Sequence, residues 1–209
     1  MAFLSRFLES ARRWAVSRSW HWRALVLAYL VYAASRSLAD ADYVSMFSGI
    51  TLVFHEMGHI LFSPFGDVLM IAGGSITQLA IPIVVALYLL LRQGDYFGFA
   101  VGGAWLGFSA LDLARYIGDA RILELPLVSL GPEAEHDWFY LLSRLGWLRY
   151  DTQIAGLVRS SGTVILFLSI AFGVWLCFLM GRGSGARDDE AREDPETRKF
   201  KDWLRERGS

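Results

Sequence analysis

The residues best placed to do chemistry are His55, Glu56 and His59, in the run Phe54-His55-Glu56-Met57-Gly58-His59-Ile60. On a helix, residues four apart share a face, so His55 and His59 can offer two imidazoles to one metal ion. Glu56, beside the first of them, can serve as general base toward a water that the metal activates. A catalytic zinc ion takes three protein ligands and leaves one position open, so a third ligand is expected elsewhere in the chain. The surroundings sharpen the reading, because the run sits in an apolar stretch, Tyr43 to Leu61, and ionisable groups in lipid are costly enough to mark function. The competing structural account is that the three polar side chains satisfy one another inside a helical bundle.

The elements that must position this motif are membrane helices. Of the 209 residues, 54% are hydrophobic, and the mean hydropathy is +0.36. That is more apolar than a soluble domain of this size needs. The expected fold is an all-α polytopic membrane protein with about five transmembrane helices. These are Trp22–Leu38, Tyr43–Leu61, Ser75–Leu91, Tyr96–Ile117 and Leu157–Met180, and the second carries the motif. Between the second and third, Ser63-Pro64-Phe65-Gly66-Asp67 breaks the helix, and Val68–Ile71 reads as a short extended or re-entrant segment bounded by Gly73-Gly74. The fourth is rich in small residues that let helices approach closely. Trp138–Tyr150 is aromatic and too short to span, so the interface is its expected place. A net charge of −1 gives no reason to expect nucleic acid. The single cysteine, Cys177, excludes both a disulfide framework and a cysteine-based zinc site.

Three divisions follow. Residues 1–21 pattern as a basic amphipathic helix on the membrane surface or against a partner protein, 22–181 form the transmembrane domain, and 182–209 form a charged tail. Ala39-Asp40-Ala41 has the form of a signal-peptidase site, but the long amphipathic lead favours an uncleaved helix. Arg6, Arg12, Arg13, Arg18 and Arg23 place the N-terminus in the cytoplasm, which puts the motif near the cytoplasmic face of an integral membrane protein. Five spans would then leave the tail outside, although its Lys and Arg suit the cytoplasm.

Asp112 is the leading third ligand. If the second and fourth spans run in the same direction, Asp112 near the end of one lies at the depth of His55 and His59 near the end of the other. Asp119, seven residues on and on the same face, is a second candidate; its alternative is an ion pair with Arg115 or Arg121. His136 in Glu135-His136-Asp137-Trp138 is a third, with Asp137 placed to orient its ring. Its alternative is a loop histidine among solvated neighbours.

On these residues the chain resembles the site-2-protease class of intramembrane zinc metalloproteases over about residues 43–120. That class is similar in having H-E-x-x-H in one transmembrane helix, a glycine-containing segment in the next and Leu-Asp-Gly in a later one. Here the first motif is His55-Glu56-Met57-Gly58-His59, and Ala72-Gly73-Gly74-Ser75-Ile76-Thr77-Gln78 echoes the second. The third is only Leu111-Asp112, followed by Leu113 instead of Gly. The resemblance implies zinc held by His55, His59 and Asp112, and hydrolysis of a transmembrane or membrane-adjacent polypeptide in a bacterial inner (plasma) membrane. A different class of function, a non-catalytic subunit packed against protein partners in a larger membrane complex, uses the same motif structurally. A metal transporter ranks last, because it needs polar groups along the whole path across the bilayer and here they cluster at one depth.

Overall fold

The computed structural model describes residues 2–40, 42–126 and 136–192, together with Trp203 and Arg207. Every regular element among them is helical: α1 (Ala2–Val16), α2 (His21–Ala39), α3 (Met46–Phe62), α4 (Asp67–Gln93), α5 (Tyr96–Gly118), α6 (Asp137–Leu145) and α7 (Asp151–Arg192). Short 3₁₀ turns at Ser63–Phe65 and Leu148–Tyr150 lead into α4 and α7. Three stretches are long and apolar enough to cross a membrane: Asp67–Gln93, Tyr96–Gly118 and Leu148–Gly183. At 17 residues, α3 sits at the lower limit of about 17 for a span.

Local signals account for where the helices begin and end. Ser45 and Ser48 form a reciprocal capping box at the start of α3. The Asp95 carboxylate accepts from the backbone N–H groups of Phe97 and Gly98 to start α5. Gly94 and Gly146 end α4 and α6 in the left-handed conformation, at φ 62° and 69°.

The chain falls into two compact units. In the first (Met1–Leu25 with Val174–Ser209), Ala11 and Ala15 of α1 are buried, and Gly183 of α7 comes close to the Val16 backbone. Its Arg12 lies over Trp175, and Arg23 lies over both Trp14 and Trp22.

The second unit (Val26–Gly173) contains the motif. Its central feature is the crossing of α3 and α4, whose backbones touch at Gly58 and Gly73. A Cβ on Gly58 would overlap the Gly73 carbonyl, and one on Gly73 would lie 2.7 Å from the Gly58 carbonyl oxygen. No larger residue fits this contact, and that is why small residues recur where membrane helices pack. The α5–α7 contact is of the same kind, with Gly107 against Gly162 and Leu166.

Two expectations from the sequence change here. Val68–Ile71 is neither extended nor re-entrant: it is the first turns of α4, which starts at Asp67 and runs unbroken through Gly73, Gly74 and Pro82. The glycines are there for close packing, and the turn is made earlier, at Gly66 (φ 89°). Asp112 also lies away from the histidines. α5 crosses α3 so that Ser109 meets Thr51 (3.1 Å) and Asp112 lies beside Ser48. Ser48 precedes His55 by two helical turns, about 10 Å along the axis. The charged tail beyond residue 192 lies outside the described residues, apart from Trp203 and Arg207; α7 itself continues ten residues past Arg182.

Candidate metal centre

His55 and His59 project from adjacent turns of α3, with ring centroids 4.9 Å apart. One ring nitrogen from each, together with a Glu56 carboxylate oxygen, falls in a group whose atoms lie within 4.8 Å of one another. The three motif residues are therefore brought together.

Hydrogen bonds fix how the two rings present themselves. Gln78 on α4 donates its side-chain N–H to the Ser109 carbonyl (2.9 Å), which can only accept, so its Oε1 must face His55 Nδ1 (2.9 Å). His55 Nδ1 therefore carries the proton. His59 Nδ1 faces the Met70 carbonyl at 3.0 Å and must likewise be the protonated nitrogen. In the neutral rings both Nε2 atoms are left as bare lone pairs, the arrangement that outer partners impose on metal-ligating histidines.

Those lone pairs converge on a carboxylate. Asp137 Oδ2 lies 2.9 Å from His55 Nε2 and 3.3 Å from His59 Nε2. Two lone pairs and a carboxylate oxygen repel unless positive charge joins them, either protons on both rings or a cation. A tetrahedral cation with bonds of about 2.0–2.1 Å spaces its ligand atoms about 3.4 Å apart, close to what is seen. Gly74 of α4 forms the adjoining wall. A Cβ there would lie 2.7 Å from both Nε2 atoms, so only glycine leaves that approach open.

The carboxylate that faces both rings is thus brought in by α6, and α6 is held by polar contacts at its N-terminal end. The Asp137 backbone N–H donates to the Tyr116 hydroxyl (3.0 Å), and Trp138 Nε1 donates to Ser75 Oγ (3.1 Å). Trp138 also packs on the apolar cluster of Leu113, Ile117 and Ala155. His136 caps α6, its Nδ1 accepting from the Phe139 N–H at 3.3 Å. The Asp137 carboxyl is buried, which disfavours its charge. Hydrogen bonds from protonated Nε2 atoms of His55 and His59 outweigh that and hold it below the ordinary carboxylate range. A cation in place of those protons acts in the same direction.

The other candidates from the sequence have different partners. Asp119 accepts backbone N–H bonds from Glu124 and Leu125 and lies 3.4 Å from His136 Nε2. It pairs with neither Arg115 nor Arg121, because Arg115 reaches Asp42 and Arg121 reaches Asp151 (2.6 Å). His136 is buried, against the expectation of solvated neighbours; its ring lies 4.3 Å from that of Tyr116, and burial pushes its pKa down. Asp137 orients no part of the His136 ring, since its carboxylate is taken up by the two α3 histidines. Residues 127–135, with Glu135, lie outside the described residues.

Asp137, Gln78, Tyr116 and Gly74 are the site residues that spacing alone does not single out. The available signals were weak: a lone amide in an apolar span, and an aspartate opening an amphipathic segment. No family model, curated protein or solved structure matches this chain.

Proposed function

We propose that the chain is an intramembrane zinc metalloprotease, embedded by α2, α3, α4, α5 and α7 with its N-terminus in the cytoplasm, and that His55, His59 and Asp137 hold the zinc. One observation carries the reading: two Nε2 lone pairs, fixed by bonds at Nδ1, converge with a carboxylate oxygen beside a glycine that leaves their approach clear. When bound, zinc supplies Lewis acidity to a water and to the scissile carbonyl.

The chain's own residues do the rest. Glu56 has no hydrogen-bond or ion-pair partner among the described residues, so its carboxylate is free to take the proton of the attacking water. It returns that proton to the amine nitrogen as the C–N bond breaks. Gln78 and the Met70 carbonyl hold the histidines in the ligating tautomer, and Tyr116 holds the Asp137 backbone. The substrate class is a transmembrane or membrane-adjacent polypeptide, reached from the bilayer.

A second reading rests on the same contacts. Doubly protonated His55 and His59 satisfy Asp137 without metal, and the cluster then staples α3, α4 and α6 in a non-catalytic subunit. Two protons or one divalent ion balance the same carboxylates, Glu56 and Asp137, so charge does not separate the two. Gly74 does not either, since a Cβ there would overlap both rings in either case; metal content does.

The experiment is zinc content of the detergent-purified protein, followed by mass-spectrometric detection of new N-termini when it is reconstituted with membrane polypeptides. Wild type carries zinc and generates termini, Glu56→Gln carries zinc and generates none, and Asp137→Asn loses both. Asp112→Asn keeps both. Wild type that stays free of metal after zinc is supplied points to the subunit.

A further inference from the structure

The third donor to the cluster comes from an element with few apolar contacts of its own. At nine residues, α6 is shorter than the roughly 12–15 that make an isolated helix even marginal in water. Its inward face carries Asp137, Trp138 and Leu142. Phe139, Ser143 and Arg144 are exposed along α6, with Tyr140 half-buried, and the connection onward exposes Leu145, Trp147, Arg149 and Tyr150. Phe139, Leu145, Trp147 and Tyr150 are 43%, 59%, 53% and 40% exposed, a large apolar area to leave in water.

Composition and position say what covers it. The only charged side chains between Trp138 and Tyr150 are Arg144 and Arg149, and each lies over a tyrosine ring, Tyr140 and Tyr150 respectively. Exposed aromatics interleaved with arginine suit the headgroup layer of an anionic bilayer, where rings sit at the apolar boundary and guanidinium groups meet phosphates. The segment also runs directly into the stretch Leu148–Gly183, which is long and apolar enough to span. Trp147 and Tyr150 therefore lie at the end of a span, where such rings anchor.

We infer that the outer face of α6 and the turn after it seat on the anionic headgroup layer of the bilayer, and that this seating sets Asp137 against His55 and His59. The coupling to metal rests on the metalloprotease reading; the seating does not. Metal affinity then depends on lipid charge, because a lipid that holds α6 down supplies the third donor at no further cost in ordering.

The test uses the full chain with Cys177→Ala and Ser143→Cys, labelled at residue 143 with an environment-sensitive fluorophore. It is placed in nanodiscs of phosphatidylcholine with or without phosphatidylglycerol. Spin-labelled lipids report depth, iodide reports water, and a chelator competition reports zinc affinity. Headgroup-level spin labels quench the fluorophore more than mid-chain ones, and phosphatidylglycerol strengthens both the quenching and zinc binding. Arg144→Gln with Arg149→Gln, both at exposed positions, removes most of the phosphatidylglycerol effect, at roughly fivefold in the seating equilibrium for each arginine.

Quenching by iodide and not by lipid labels overturns the inference, as does a label shielded from both, which marks a protein partner or a second copy on this face. Equal quenching with and without phosphatidylglycerol overturns the anionic assignment. Headgroup quenching in a protein that binds no zinc in any disc overturns the metalloprotease reading and leaves the seating intact.

Discussion

Replacing Gly74 with alanine tests the geometry of the site most directly. The added Cβ would lie 2.7 Å from Nε2 of both histidines and 2.9 Å from His55 Cδ2. Carbon makes unstrained contacts at about 3.5 Å, so each overlap is roughly 0.7 Å. The rings have no easy escape, because each is tied at Nδ1, to Gln78 at 2.9 Å and to the Met70 carbonyl at 3.0 Å. A metal site tolerates displacements of about 0.2 Å in its ligand distances. The shift forced on the nitrogens is several times that, and the expected loss of zinc affinity exceeds the roughly 10–100-fold that removal of an outer partner costs.

The helix itself is not the casualty, since alanine favours a helix over glycine by about 1 kcal/mol. Gly49→Ala on α3 is the control, with nothing within 4 Å of its added Cβ. The assay is zinc content with thermal unfolding in micelles. Zinc at 100 times its dissociation constant stabilises the native state by about 2.7 kcal/mol. Wild type and Gly49→Ala gain that increment and Gly74→Ala gains none, and the metal-free variant also loses about 1–3 kcal/mol to the overlap, offset in part by the helix preference of alanine. Zinc binding by Gly74→Ala at wild-type strength would refute the convergence of the two Nε2 atoms.

Other perturbations separate the parts of the site. Gln78→Leu leaves His55 Nδ1 and the Ser109 carbonyl without their partner, and zinc affinity should fall by about 10–100-fold in chelator competition; an unchanged affinity means that Gln78 does not set the His55 tautomer. Protons compete with metal for the two Nε2 lone pairs, so affinity rises with pH. Zinc affinity should therefore fall as the pH is lowered through mild acid in chelator competition, and an affinity that does not change with pH contradicts imidazole ligation. Gly58→Ala sets its Cβ against the Gly73 carbonyl and 2.7 Å from Thr77 Oγ1. The α3–α4 crossing must open, at a cost of about 1–3 kcal/mol in denaturant unfolding, and a neutral result contradicts the backbone contact.

What the sequence determined by itself was what depends on near neighbours along the chain. Four-residue spacing put His55 and His59 on one face of a helix, with Glu56 beside them, because helical geometry alone dictates it. The small residues of the fourth span marked a helix that packs closely, and its Gly107 does meet Gly162 and Leu166 of α7. Where spacing had to stand in for packing, it misled. Gly73-Gly74 reads as a boundary, yet α4 passes through it, because the demand on those positions comes from α3 and from the histidine rings. A similar depth in two spans does not bring Asp112 to the histidines, because α5 crosses α3 with Asp112 beside Ser48. The donor that does meet His55 is 82 positions away, on a short helix whose docking depends on Tyr116, Ser75 and the cluster around Ile117. No local rule links residue 137 to residue 55. Only the packing of α6 against α3, α4 and α5 brings that carboxylate to the two imidazoles, and tertiary structure alone decided it.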